Sequence, residues 1–136
     1  MEGYRFSTEI SVRFAETDAQ GIAHHASFLI WCEAARVEWF RQHVGGYRQM
    51  QERGIEALTT EAHLRYLQPV RFDDRLRVWV RCVDISGARF RFDYAFELDR
   101  KRIAEGWTGH ATVDRATHRP VRVPEWFVTA AKRAES

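Results

Sequence analysis

Residues 12–42 read VRFAETDAQGIAHHASFLIWCEAARVEWFRQ, and the hydrophobic period changes midway through them. Up to the turn-like DAQG the pattern has period two. Counting back from Phe14, the even positions hold Tyr4, Phe6, Thr8, Ile10 and Val12, while Arg5, Ser7, Glu9, Ser11 and Arg13 lie between them. Such alternation predicts a half-buried strand over Tyr4 to Phe14. Beyond DAQG, Phe28, Trp31, Cys32, Ala35, Trp39 and Phe40 recur at steps of three and four, with Glu33, Arg36, Glu38 and Arg41 largely between them. That is an amphipathic helix starting near His24 to Ser27 and running to about Val44, where Gly45-Gly46 supplies a stop.

Downstream, Tyr47 to Gly54 fits a short helix or a loop, and alternation returns from Leu58 to Leu67 before Pro69 interrupts it. Leu76, Val78, Val80 and Cys82 alternate with arginines, Ser86-Gly87 makes a turn, and Phe90, Phe92, Tyr94, Phe96 and Leu98 follow as the second arm of a hairpin. Asp99 to Lys101 turns again into a fifth strand, Ile103 to Val113, whose Gly106 and Gly109 permit a bulge or a close backbone approach. A last helix starts at about Pro124. One strand, a long helix and four strands on short turns make an α+β domain with an antiparallel sheet. A sheet curved around the helix would bury its two tryptophans and two phenylalanines, at roughly 25 cal/mol per Å² several kcal/mol of stabilisation.

A chain of 136 residues supports one domain, residues 1–136, around one core. Its formal charge of +2 is too small to argue for nucleic acid. Arginines along the strands read first as a solvated face, although a guanidinium also forks onto phosphates. Cys32 and Cys82 form no C-x-x-C pair and read as reduced core thiols. MEGYRFSTEI lacks the apolar core of a signal peptide and no run of eighteen apolar residues occurs, so a cytoplasmic protein without stable membrane insertion is expected.

The polar groups at the strand–helix corner admit three readings: a turn, a metal site or a catalytic corner. A helix start points unpaired N–H groups at the end of the preceding strand and stabilises an anion or a developing oxyanion. Asp18, upstream of the flexible Gly21, is a plausible nucleophile or general base for acyl transfer facing such a site. An aspartate that satisfies turn N–H groups is the plainer alternative, and capping or packing is the plainer one for His24 and His25. No H-x-H or H-x-x-x-H spacing supports a metal, and no G-x-S-x-G elbow supports a serine hydrolase.

VRFAETDAQGIAHHASFLIWCEAARVEWFR closely resembles the entrance segment of the hotdog-fold acyl-CoA thioesterases of the 4-hydroxybenzoyl-CoA thioesterase type, which include the Tol-Pal-associated thioesterases. The motif is a strand, D-x-x-G, H-H or Y-H, then the long helix. EAHLRYLQPVRFDDRLRV, from Glu61 to Val78, and AEGWTGHATVDRATHRPVRVPE, from Ala104 to Glu125, continue the likeness over nearly the whole chain. The resemblance implies a helix wrapped in a curved antiparallel sheet, a homodimer or homotetramer with sites between subunits, and hydrolysis of an acyl-CoA substrate without cofactor or metal. It implies Asp18 as the catalytic carboxylate, nucleophile or base for water, and His25 as the residue whose backbone N–H polarises the thioester carbonyl while its side chain orients substrate. Gly21, His24 and Glu61 join them as substrate or oxyanion contacts. Phe14 stands where some members carry a tyrosine, so that hydroxyl is missing. DISGA at Asp84 to Ala88 replaces a basic cluster of some relatives, leaving Arg89 and Arg91 as the nearest cations for the CoA phosphates. A thioesterase for acyl carrier protein thioesters and a non-catalytic acyl-CoA binding subunit are the alternatives.

Overall fold

The alternation from Tyr4 to Phe14 yields a strand shorter than the pattern suggests. In the computed structural model, which describes residues 1–136, β1 spans Phe6–Ser11. Val12 still turns into the core, but Phe14 opens a short 3-10 turn, Phe14–Glu16, and lies 75% exposed against Phe72. The cause is Glu16, whose carboxylate accepts the Arg13 N–H at 2.8 Å and folds the chain back before the strand can continue.

The long helix α1 spans Ser27–His43 and the uncertain segment forms a short helix, α2, Tyr47–Glu52. Four strands follow: β2 Ile55–Tyr66, β3 Arg75–Ser86, β4 Arg89–Leu98 and β5 Lys101–Asp114, and the chain closes with α3, Glu125–Glu135. All strand pairs are antiparallel, in the order β1-β3-β4-β5-β2. The strands flanking α1 in sequence therefore occupy opposite edges of the sheet, and α1 carries the chain across its inner face. This is the α+β architecture expected of the sequence.

All six apolar stripe residues of α1, from Phe28 to Phe40, are buried, and they meet inward residues of the sheet such as Leu76, Val78, Val80, Phe92 and Phe96. Aromatic rings dominate: Trp39 lies edge-on to Phe92 at 5.1 Å, and Phe28 to Phe96 at 5.3 Å. At the far end α3 inserts Phe127 against Trp39, Phe40 and Phe90, and the Glu135 carboxylate accepts the Trp39 indole N–H at 3.1 Å. Cys32 and Cys82 are buried, unpaired thiols, and burial raises Cys32 to about 12, so neither is a reactive thiolate.

α1 packs mainly over β3 and β1. The middle of β2 is left uncovered, every residue from Thr59 to His63 being exposed, while Ile55 at its start is buried and Tyr66 at its end meets Phe28. Gly106 of β5 faces β2: a Cβ there would strike the His63 carbonyl and the Leu64 side chain. The close backbone approach anticipated at this glycine is thus made within the chain.

Candidate active site

Glu16 fixes the corner. It is 5% exposed, and its carboxylate accepts the Trp31 indole N–H at 2.9 Å as well as the Arg13 backbone and guanidinium. Its own carbonyl takes the His24 N–H at 2.7 Å and the Ser27 hydroxyl at 3.2 Å. One residue thereby ties the end of β1 to the start of α1. Burial alone would raise the Glu16 carboxyl, but the hydrogen bonds from Arg13 and Trp31 outweigh it and hold the group below the ordinary carboxylate range.

Between these two ties the chain makes a tight loop. The Asp18 carbonyl accepts the Gly21 N–H at 3.0 Å, its own N–H reaches the Ile22 carbonyl at 2.9 Å, and one carboxylate oxygen, Oδ1, takes the Gln20 N–H at 2.8 Å. Gly21 sits at φ +80°, a conformation costly for other residues, which lets the turn close. So Asp18 does serve its turn, with one oxygen. The other, Oδ2, accepts no bond from the chain and belongs to an exposed side chain.

The helix start differs from the simple expectation of open N–H groups. Those of Ser27, Phe28 and Leu29 donate to the carbonyls of His24, His25 and Ala26 at 2.9, 3.3 and 3.2 Å, and that of Ala26 donates to His24 Nδ1 at 3.2 Å. A tight turn precedes the helix and consumes them. The His25 N–H alone in this run has no partner within the chain. His24 caps, and its ring stacks on that of His25 at 4.3 Å. The His25 carbonyl is held by the Tyr66 hydroxyl at 3.0 Å, which pins this peptide from the end of β2.

Asp18, His25, Phe28, Tyr66 and Gln68 line one open cavity of about 370 Å³, closed on its other side by Leu67, Pro69 and Val70. The residues that carry the free carboxylate oxygen and the unpaired backbone N–H thus line the same half-apolar space. Such an arrangement can attack or hydrate a carbonyl whose oxygen the N–H receives. Gly21 shapes the loop without lining the cavity, and His24 stands outside it.

Glu61, Arg89 and Arg91 gather elsewhere. They border a separate cavity of about 200 Å³ on the outer face of the sheet, beside Trp107. The Arg91 guanidinium donates to Asp93 at 2.9 Å and stacks over Trp107 at 5.1 Å, while Arg89 is exposed and unpaired. Within one chain these three are not part of the Asp18 groove. Sequence reasoning missed Tyr66 and Gln68 as groove residues, because only the return of the chain at Leu67–Val70 toward Ala23, marked by the Ala23 N–H to Val70 carbonyl bond at 2.8 Å, brings them to the helix start. Pro69 was the available signal. Nowhere do three or more His, Cys, Asp or Glu side chains gather in a way that could hold a metal ion.

Residues 12–131 match the model of the thioesterase-like superfamily. Among curated proteins, "Putative acyl-CoA thioesterase YneP" of Bacillus subtilis is 28% identical over 136 residues, covering 93% of this chain and 95% of that one. The 1,4-dihydroxy-2-naphthoyl-CoA hydrolase of Thermosynechococcus vestitus is 29% identical, covering 91% and 89%. Among solved structures, the hypothetical protein TT1821 of Thermus thermophilus superposes with a TM-score of 0.88 at 31% identity, over 94% of this chain and 98% of that one. With the match running from the end of β1 into α3, and with a helix wrapped by an antiparallel sheet, the chain belongs to the thioesterase-like superfamily, of hotdog fold.

Proposed function

We propose that the protein is an acyl-CoA thioesterase of the 4-hydroxybenzoyl-CoA thioesterase type, its 136 residues forming one catalytic domain that acts in the cytoplasm as a homodimer or homotetramer. The observation that carries the reading is the shared groove of the Asp18 carboxylate and the unpaired His25 N–H. The thioester carbonyl oxygen takes the His25 N–H. Either Asp18 attacks the carbonyl carbon, the C–S bond breaks to leave a mixed anhydride, and water hydrolyses that anhydride to the acid and free Asp18, or Asp18 draws a proton from the water that attacks and the C–S bond then breaks. In both routes the thiolate of CoA takes up a proton supplied by that water. Because the electron pair moves onto an oxygen already facing a hydrogen-bond donor, the tetrahedral stage is stabilised more than the ground state. Names of relatives support the substrate class, since two of those compared carry CoA thioester hydrolysis in their names.

The test is Asp18→Asn. An amide oxygen can still accept the Gln20 N–H, so the turn survives while the charge is lost. Thiol release from the best acyl-CoA of a substrate panel should fall in kcat by at least about two decades with oligomeric state unchanged. Retention of most of the activity would leave Asp18 a turn residue and sink the mechanism. Turnover confined to acyl carrier protein thioesters, or binding of acyl-CoA without turnover, would select one of the alternatives.

A further inference from the structure

A second cavity, about 490 Å³, opens between α1 and the inner face of β2 and β5, lined by Glu33, Arg36, Tyr47, Thr59 and His110 among others. Behind its wall runs a chain of buried polar side chains. Arg36 Nη1 donates to the Tyr94 hydroxyl at 2.9 Å, Tyr94 lies 2.7 Å from Thr108 Oγ1, and Thr108 Oγ1 lies 2.7 Å from His110 Nε2. His110 Nδ1 ends the chain 3.4 Å from Thr59 Oγ1. Tyr94, Thr108 and His110 are each at most 2% exposed.

Burying three polar side chains in an aromatic core destabilises unless each is satisfied, and an apolar triad would pack there at lower cost. These bonds can run in one consistent direction. Burial, with the charge of Arg36 adding to it, pushes His110 down to about 3, so the imidazole is neutral and one of its two ring nitrogens accepts. In the tautomer that accepts at Nε2, Thr108 donates to His110, Tyr94 donates to Thr108, and the Tyr94 oxygen accepts from Arg36. The series ends on a guanidinium held at the cavity wall.

That guanidinium is half-buried and makes no ion pair. Of its five N–H donors one is spent on Tyr94, and an arginine so placed is complementary to the paired oxygens of a carboxylate. Glu33, one turn earlier on α1, stands exposed at the rim without pairing to Arg36, where water screens it; the arginine faces the drier interior.

Resting on the thioesterase reading above, we propose that this cavity is a specificity site in which Arg36, positioned by Tyr94, Thr108 and His110, binds a carboxylate at the far end of the substrate's acyl group. Ser27, where α1 begins beside the His25 corner, and Arg36 are separated by about 14 Å along the helix axis at 1.5 Å per residue, so an extended acyl chain, from its own or a partner subunit's groove, is the class of group that reaches it.

Thiol release is to be measured for chain-matched acyl-CoA thioesters ending in methyl, hydroxyl or carboxylate, at several chain lengths, with the wild type, Arg36→Met, Arg36→Lys and Tyr94→Phe. The expected result is a wild-type preference for the carboxylate tip. Arg36→Met should lower the carboxylate-over-methyl ratio of kcat/KM by about tenfold or more, with Arg36→Lys recovering part of it and Tyr94→Phe losing about threefold or more. A ratio unmoved by Arg36→Met, or a hydroxyl tip preferred over the carboxylate, overturns the proposal. Should Arg36→Met not fold, an unmoved ratio in Tyr94→Phe and Arg36→Lys overturns it equally. If no thioester is hydrolysed by any variant, the thioesterase reading fails, and calorimetric titration of free glutarate and suberate decides the site separately. Binding by the wild type that is lost in Arg36→Met sustains carboxylate recognition, and absence of binding ends it.

Discussion

At Asp18 two oxygens divide two duties, and at His25 the backbone and the ring do the same. The His25 peptide is fixed on both sides, by the Tyr66 hydroxyl on its carbonyl and by the turn that leaves its N–H open, whereas its ring is exposed and touches mainly that of His24. A side chain so placed orients a substrate without supplying the oxyanion donor. His25→Ala is therefore expected to lower kcat/KM by about one to two decades and no further, measured by thiol release. An unchanged value would return the ring to a packing role. The turn role of Asp18 and the corner itself were readable from DAQG and HH. That one N–H alone would remain open was not, because it depends on Glu16 and His24 consuming the neighbouring ones.

The element scale is governed by how α1 is attached. Trp31, on its second turn, donates to Glu16 at the end of the β1 segment, so helix and strand share one buried carboxylate. The folded-state carboxyl of Glu16 lies below its ordinary value of 4.5, so the unfolded chain takes up this proton first as pH falls. The stabilisation is fully present above about pH 4.5 and is lost as pH falls through the folded value. Denaturant unfolding between pH 3 and 7 should show this acid loss, and Glu16→Gln should flatten it while costing about 1 to 3 kcal/mol near neutrality. An acid limb equally steep in the variant would assign the loss to other carboxylates. The stripe of α1 was legible because every one of its apolar positions faces the core. Strand β1 was over-read by its last residues, since alternation continues through Val12 while the backbone has already begun to turn. The relay behind Arg36 was illegible: Thr108 and His110 look like ordinary strand positions until the register sets His110 opposite Phe90 and Thr108 opposite Phe92, on the inward face.

In the whole molecule, β2 is an edge strand of 12 residues with an exposed middle that α1 does not cover, and a long unpaired edge of this kind is a template for another strand. Sedimentation at micromolar concentration is expected to give twice the 16.0 kDa chain or a higher multiple. A monomer with full activity would refute an assembly-dependent site.

The placement of β1 and β2 at opposite edges also bears on the order in which the chain finds its structure. Strands β3, β4 and β5 join through short turns, so their pairings close small loops and form a meander early. β2 must instead find β5 across more than a third of the chain, with Thr59 opposite His110, and can dock only after that meander exists. Until it does, the wall of the second cavity is missing and the inward face of β5 lies open to water. The segment that completes the pocket is then added after the meander and, as an edge strand with an exposed middle, is expected to be among the first to open in the native state, so hydrogen exchange should enter the molecule from β2.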